Sequence, residues 1–286
     1  METSELLKKV RKIEIKTKAL SRQIFSGQYH SAFKGRGMAF SEVREYQYGD
    51  DIRFIDWKVT ARFHKPYVKI FEEERELTVM LLIDVSASGL FGSAAAKRET
   101  ISEIAAILAF SAAQNNDKVG AIFFSSEVEK YIPPQKGRTH LLHIIRELVD
   151  FRPARQGTDI SAALRFLRNV QKRKSTAFLL SDFMDEHYED AIKIAGKAHE
   201  LIALHIFDPL EAHLPDWGLM RIKDNESGKT FMIDSSSTRN RKAFEDYRME
   251  QERNRKAIMN KYGIAHTSVS TEEDYVKPLI NMFSKL

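Results

Sequence analysis

Five side chains carry the chemistry that this sequence offers most plainly. Asp84, Ser86 and Ser88 stand in the run Asp84-Val85-Ser86-Ala87-Ser88, Thr158 in Gly157-Thr158-Asp159, and Asp182 in Ser181-Asp182. Two carboxylates and three hydroxyls form a set of hard oxygen donors with no soft ligand among them. Such a set suits Mg2+ (or Mn2+), which takes octahedral oxygen coordination at about 2.0–2.1 Å and keeps several waters. Neutral hydroxyls can ligate directly, while the aspartates balance charge directly or through water. A coordination position then stays open, and a carboxylate from a partner protein could fill it. Taken singly, the same residues have plainer uses. Asp84, Ser86 and Ser88 could form a strand-to-helix turn or cap, Thr158 could be the N-cap of the following helix, and Asp182 could cap the next one.

These residues need a scaffold that gathers them. A nearly continuous apolar run from Leu77 to Ile83 reads as a strand covered on both faces, and Asp84 follows it directly. Strand and helix patterns then alternate. A helix is expected over about 95–114, then the strand KVGAIFFSS, a short strand near Val128 to Ile132, and helices over about 138–149 and 159–170. The strand STAFLLSD, a helix over about 186–199 and the strand LIALHIFD follow. Alternation at these lengths implies right-handed crossovers and an α/β fold with a doubly wound, mainly parallel sheet. Ligands in such sheets collect at the carboxyl ends of the strands, where all five donors are expected to converge.

Beyond this core, RIKDNESGKTFMID reads as a hairpin within 217–234 that turns near Asn225 to Gly228. A highly charged helix over about 237–262, a strand IAHTSVS and a terminal helix complete the chain. We expect two parts. Residues 1–75 form an N-terminal extension, with Leu6, Leu7, Val10 and Ile13 at helical spacing, and residues 76–286 form the α/β domain with the hairpin as an insertion.

The ordered combination of Asp-x-Ser-x-Ser, a distant Thr and a later Asp resembles the metal-ion-dependent adhesion site of von Willebrand factor A-like domains. A second stretch narrows the resemblance. Gly35-x-Gly37, then Phe40, Arg44-Glu45-Tyr46, Gly49-Asp50-Asp51-x-Arg53, Asp56-Trp57 and Ala61-Arg62 lead into the Asp84 strand. This looks like the bacterial family called domain of unknown function 58, over roughly residue 27 to the C-terminus. The resemblance implies a noncatalytic, metal-dependent protein-binding module. It also implies association with a MoxR-type AAA+ ATPase and a role in assembly, maturation or metal insertion of client proteins.

The Arg/Asp/aromatic-rich stretch has two readings of its own. Arg44, Asp50, Asp51, Arg53 and Asp56 could pair into a charge-assisted network locking irregular backbone, with Tyr46 and Trp57 as apolar anchors. Alternatively, Arg44, Arg53 and Trp57 could anchor a docking partner.

Composition bounds the remaining choices. The 286 residues include no cysteine, which removes disulfides, thiolate metal sites and a cysteine nucleophile. No window approaches the roughly 18 apolar residues of a membrane span, and the N-terminus has no signal-type apolar core, so a cytoplasmic location is expected. The net charge is +5, with basic residues clustered near the N-terminus. Gly35-Arg36-Gly37 lacks the third glycine and the setting of a dinucleotide loop, and no GxxxxGK[ST] occurs. His140 and His143 sit one turn apart with no evident third ligand. Phe183, Met184 and Tyr188 could rim the site or simply pack in the core. Two other functions compete. A phosphohydrolase would place its nucleophile at Asp84 but needs an acid two residues on, where Ser86 stands. A nucleic-acid binder would use the basic N-terminus and the charged helix, which mixes Arg239, Arg241, Lys242, Arg253, Arg255 and Lys256 with Glu245, Asp246, Glu250 and Glu252.

Overall fold

The computed structural model describes residues 39–72, 77–86, 94–155, 157–211, 213–223 and 230–284. The expected N-terminal helix, the basic N-terminal cluster, Ser88, the boundary at 75/76 and the hairpin turn lie outside them. Two compact units are described, one within Phe33–Leu77 and one from Thr78 onward.

In the smaller unit, β1 (Ala39–Glu45) pairs antiparallel with β2 (Tyr67–Glu72), with a register break between Phe40 and Glu42. Between them lies α1 (Trp57–Phe63), a helix absent from the sequence reading. Asp56 caps it by accepting from the amides of Lys58 and Val59, and His64 ends it in the left-handed region at φ 56°. The seven-residue length hides any apolar stripe, so the cap was its main signal.

The larger unit is built on a six-stranded sheet. Its strands are β3 (Thr78–Asp84), β4 (Lys118–Phe124), β5 (Val128–Gln135), β6 (Thr176–Ser181), β7 (Glu200–Phe207) and β10 (Ala265–Ser270). They run in the order β10-β7-β6-β3-β4-β5, and every pairing is parallel except the β4–β5 edge. The connecting helices are α2 (Ala94–Gln114), α3 (Arg138–Asp150), α4 (Ile160–Val170) and α5 (Glu189–Ala198), and β8 (Leu219–Lys223) with β9 (Thr230–Asp234) forms a separate hairpin. The long α6 (Thr238–Lys261) and α7 (Val276–Phe283) complete the unit.

Residues 79–84 of β3 are all buried, as expected for a strand covered on both faces. On one face Met80 and Leu82 pack with Leu164 and Leu167 of α4, Ile192 of α5 and Met259 of α6. The opposite face carries Phe178 against Phe283 of α7, their ring centroids 6.1 Å apart, and Phe123 edge-on to Phe151 at 5.1 Å. Each fully buried aliphatic or aromatic side chain of this kind contributes about 1.5–3 kcal/mol. The chain leaves β3 for β4 on one side and later returns to β6 on the other. Asp84 therefore ends the strand at which the sheet's winding reverses, the place where open α/β sheets form ligand crevices. No helix among the described residues is long and apolar enough to cross a membrane.

Candidate metal centre

Sheet register brings four of the five expected donors to one edge. Asp84 lies opposite Phe124 of β4, and the next amide, Val85, donates to the Phe124 carbonyl at 2.8 Å. On the other side Ile83 lies opposite Leu180, which sets Ser181 beside Asp84; its hydroxyl donates to Asp84 Oδ2 at 2.5 Å. The loop bearing Thr158 is tied to the end of β4 by the Asp159 amide, which donates to the Ser125 carbonyl at 2.8 Å. Ser86 folds back so that its amide donates to Asp84 Oδ1 at 2.9 Å. Ser88, the fifth donor, is outside the described residues.

Asp84, Ser86 and Asp182 are all buried. Burial, and after it the negative charge of Asp182, pushes the Asp84 carboxyl up to about 7 despite hydrogen bonds from Ser181 and Ser86 that act the other way. Two buried carboxylates close enough to repel make ionisation of Asp84 costly.

The plainer uses fare unevenly. Asp159, not Thr158, caps α4, its Oδ1 accepting from the Ala162 amide at 2.6 Å. The Thr158 hydroxyl oxygen is buried and has no hydrogen-bond partner among the described residues. Asp182 caps no helix either: α5 begins after Tyr188 without a side-chain cap. Asp182 instead accepts from the Met184 amide at 3.2 Å through Oδ1 and from Lys97 Nζ at 2.9 Å through Oδ2. Asp84 does form the local turn expected of the bland reading, through the Ser86 amide.

Lys97 is the participant that sequence reasoning missed. Its ammonium lies between Asp182 and Glu211, 2.9 and 2.5 Å away, with all three side chains at most 3% exposed. Burial alone would lower the Lys97 pKa, but the two carboxylates outweigh it and raise the value above its ordinary one. Glu211, which ends the turn Pro209–Glu211 after β7, is raised mainly by burial. Arg248 of α6 reaches the same place, its Nε donating to the Glu211 carbonyl at 2.5 Å. One sequence signal was available: Lys97 falls in step with Ile101, Ile104 and Leu108, all buried on α2.

The residues fit a hard divalent cation by the chemistry of the donor set. The Thr158 hydroxyl is buried and unpartnered among the described residues, in a loop tied to the end of β4 beside the strand that Asp84 ends, and burial first, then Asp182, raises the Asp84 carboxyl. Among the described residues no three of His, Asp and Glu converge as metal ligands, so a cation here would depend on the hydroxyls. Both Asp182 oxygens already accept hydrogen bonds, which suits charge balance or contact through water.

Other residues singled out in the sequence lie elsewhere. His140 faces the Val119 carbonyl at 2.9 Å and His143 lies 3.7 Å from Glu147; neither reaches the centre. In the smaller unit Arg44 forks onto Asp50 at 2.7 and 2.8 Å, and Arg53 pairs with Asp51 at 2.6 Å. These are pairs of the locking network. Trp57 is not the buried anchor expected there, because at the start of α1 it is 69% exposed. On α6 the basic residues form no stripe: Arg241 holds the Ser235 carbonyl and Asp216, Lys256 pairs with Glu252, and Arg255 is buried.

Residues 42–254 match the family described as protein of unknown function DUF58. The chain belongs to this family. An uncharacterized protein of Mycobacterium tuberculosis (strain ATCC 25618 / H37Rv) is 31% identical over 79% of this chain and 73% of its own length. Among solved structures, BatB from Bacteroides thetaiotaomicron is similar at a TM-score of 0.49 and 17% identity, over 73% of this chain and 98% of that one. Proximal thread matrix protein 1 from the mussel byssus, in a form with a zinc-occupied MIDAS motif, is similar at a TM-score of 0.37 and 18% identity. That likeness covers 46% of this chain and 38% of the mussel chain.

Proposed function

We propose that this protein is a noncatalytic binding module in which Asp84, Ser86, Ser88, Thr158 and Asp182 hold Mg2+ (or Mn2+), and that an acidic residue of a partner protein completes the metal shell. The observation that carries the reading is the Thr158 hydroxyl, buried without a partner among the described residues in a loop tied to the end of β4, the strand next to that of Asp84. Buried polar groups are almost always satisfied, so an orphan hydroxyl in the loop next to the strand end that carries Asp84 has a ready explanation in a ligand there. The open coordination position of such a site is one that a partner carboxylate can fill.

The partner in this reading is a MoxR-type AAA+ ATPase together with a client protein, in keeping with the family resemblance. Arg44, Arg53 and Trp57 offer a second contact surface; Arg53 and Trp57 are the more exposed of the three. A phosphohydrolase is disfavoured because Ser86 occupies the position where a general acid would be needed.

The test has two parts on the full chain. Mn2+ binding followed by electron paramagnetic resonance should be saturable in the wild type and lost in Asp84→Ala. Affinity purification from the native host should retain a MoxR-type ATPase with wild type in Mg2+, and lose it with chelator or Asp84→Ala. Absence of Mn2+ binding would overturn the metal site, and ATPase retention indifferent to chelator would overturn the metal bridge.

A further inference from the structure

One of the two carboxylates in the metal centre is already served by a cation of this chain. Asp84 Oδ1 accepts from the Ser86 amide and Oδ2 from the Ser181 hydroxyl, while Asp182 Oδ1 accepts from the Met184 amide and Oδ2 from the Lys97 ammonium. Only the last of these donors carries a charge, and it falls on Asp182. Among the described residues no ammonium or guanidinium pairs with Asp84.

Lys97 is 1% exposed, so its charge is not screened as a surface lysine's would be. Glu211 holds the ammonium from the other side at 2.5 Å. That carboxylate is itself fixed, because its Oε2 accepts from the Asp208 amide at 3.3 Å and its carbonyl accepts from Arg248 Nε at 2.5 Å. The ammonium thus has two anchors. One is a metal ligand in the reading above and the other is not. A cation that enters beside Asp84 and Asp182 meets a like charge in a buried place, where repulsion is strong. A short move of the ammonium toward Glu211 frees Asp182 Oδ2 without carrying the charge to water.

We propose that Lys97 is the resident counter-cation that sets the metal affinity of this centre. It occupies Asp182 when metal is absent, Glu211 retains it when metal is bound, and its charge keeps binding by the chain alone weak. The inference rests on the metal reading and adds its regulation. A partner carboxylate that offsets the Lys97 repulsion tightens the metal, and the metal tightens the partner by the same factor. A lysine that served only to hold Asp182 and Glu211 together would make the same contacts, but the site would respond with the opposite sign when its charge is removed.

The experiment is Mn2+ titration of the full chain, followed by electron paramagnetic resonance, with wild type, Asp84→Ala, Lys97→Met, Lys97→Gln and Glu211→Gln. Lys97→Met keeps a long stem and removes the charge; Lys97→Gln removes the charge and keeps an N–H donor for the carboxylates, which favours folding where methionine does not. Each should bind Mn2+ at least about tenfold tighter than wild type, within the usual range of coupling between neighbouring sites. Glu211→Gln leaves Asp182 as the only charged anchor of the ammonium and should bind about tenfold weaker. Circular dichroism at the titration temperature shows which variants are folded. Saturable binding in wild type that is lost in Asp84→Ala, with the folded Lys97 variants no tighter or folded Glu211→Gln no weaker, overturns the role of Lys97 and leaves the metal site standing. No saturable binding in wild type or in either Lys97 variant overturns both.

Discussion

Replacing Thr158 with valine separates a metal ligand from a structural hydroxyl. The two side chains share shape and χ1 stiffness, so the change exchanges a hydroxyl for a methyl with little else disturbed. Because the Thr158 oxygen is buried without a partner among the described residues, the metal-free protein bears the desolvation cost of that group, about 1–3 kcal/mol. Thr158→Val removes the cost. In chelator the variant should therefore melt higher than wild type, by about 2–4 °C for each kcal/mol recovered in a unit of this size. With metal the comparison changes. A cation bound only to the native state, at a hundred times its Kd, adds about 2.7 kcal/mol to the wild type. Each tenfold loss of affinity in the variant removes about 1.4 kcal/mol of that gain. Differential scanning calorimetry in chelator and in saturating Mg2+ reads both terms, with Thr158→Ser as the control that keeps the oxygen. A variant less stable than wild type in chelator would mean that the hydroxyl has a structural partner. An unchanged advantage in Mg2+ would mean that no metal touches it.

Further outcomes follow from the buried charges and from one close backbone approach. Lys97→Met leaves Asp182 and Glu211 facing each other without their ammonium, so chemical denaturation in chelator should show a loss of about 3–5 kcal/mol. Mg2+ should recover part of that loss, and failure to recover any would place the metal away from Asp182. His205 is held well below its ordinary 6.5, first by burial and then by the Arg255 charge. Its neutral form is favoured in the folded state, so its contribution is present above about pH 6.5 and lost as pH falls below that value. His205→Gln should flatten this part of the stability profile between pH 7 and 5, and an unaltered slope would assign it to other groups. A Cβ on Gly120 would come 2.8 Å from Met80 Sδ and 2.9 Å from the Pro134 backbone nitrogen. Gly120→Ala should cost about 1–3 kcal/mol, measured by urea unfolding, and a neutral result would show that β5 can move aside.

What the sequence made legible is what periodicity and order along the chain encode. The continuous apolar run of β3 and the alternation after it imply a parallel sheet, and Asp84, Thr158 and Asp182 follow or precede elements whose ends such a sheet must align. The helix α1 escaped because seven residues hold too few turns for a stripe, and of the two uses open to Trp57, buried anchor or docking anchor, its 69% exposure removes the first. Lys97 shows the deeper limit. A charged residue on an apolar face is ordinarily a surface group whose stem crosses the face and whose head reaches water. Only two acidic partners, 85 and 114 residues away along the chain, make burial tolerable. Those partners belong to strand ends that meet through crossovers, and no local pattern carries that meeting. The same holds for the Thr158 hydroxyl. Its significance is the absence of a partner, a property of the folded packing, whereas in the sequence it is one threonine before a helix where capping was the simpler account. Asp159 takes the cap, and the hydroxyl is left buried without a partner among the described residues.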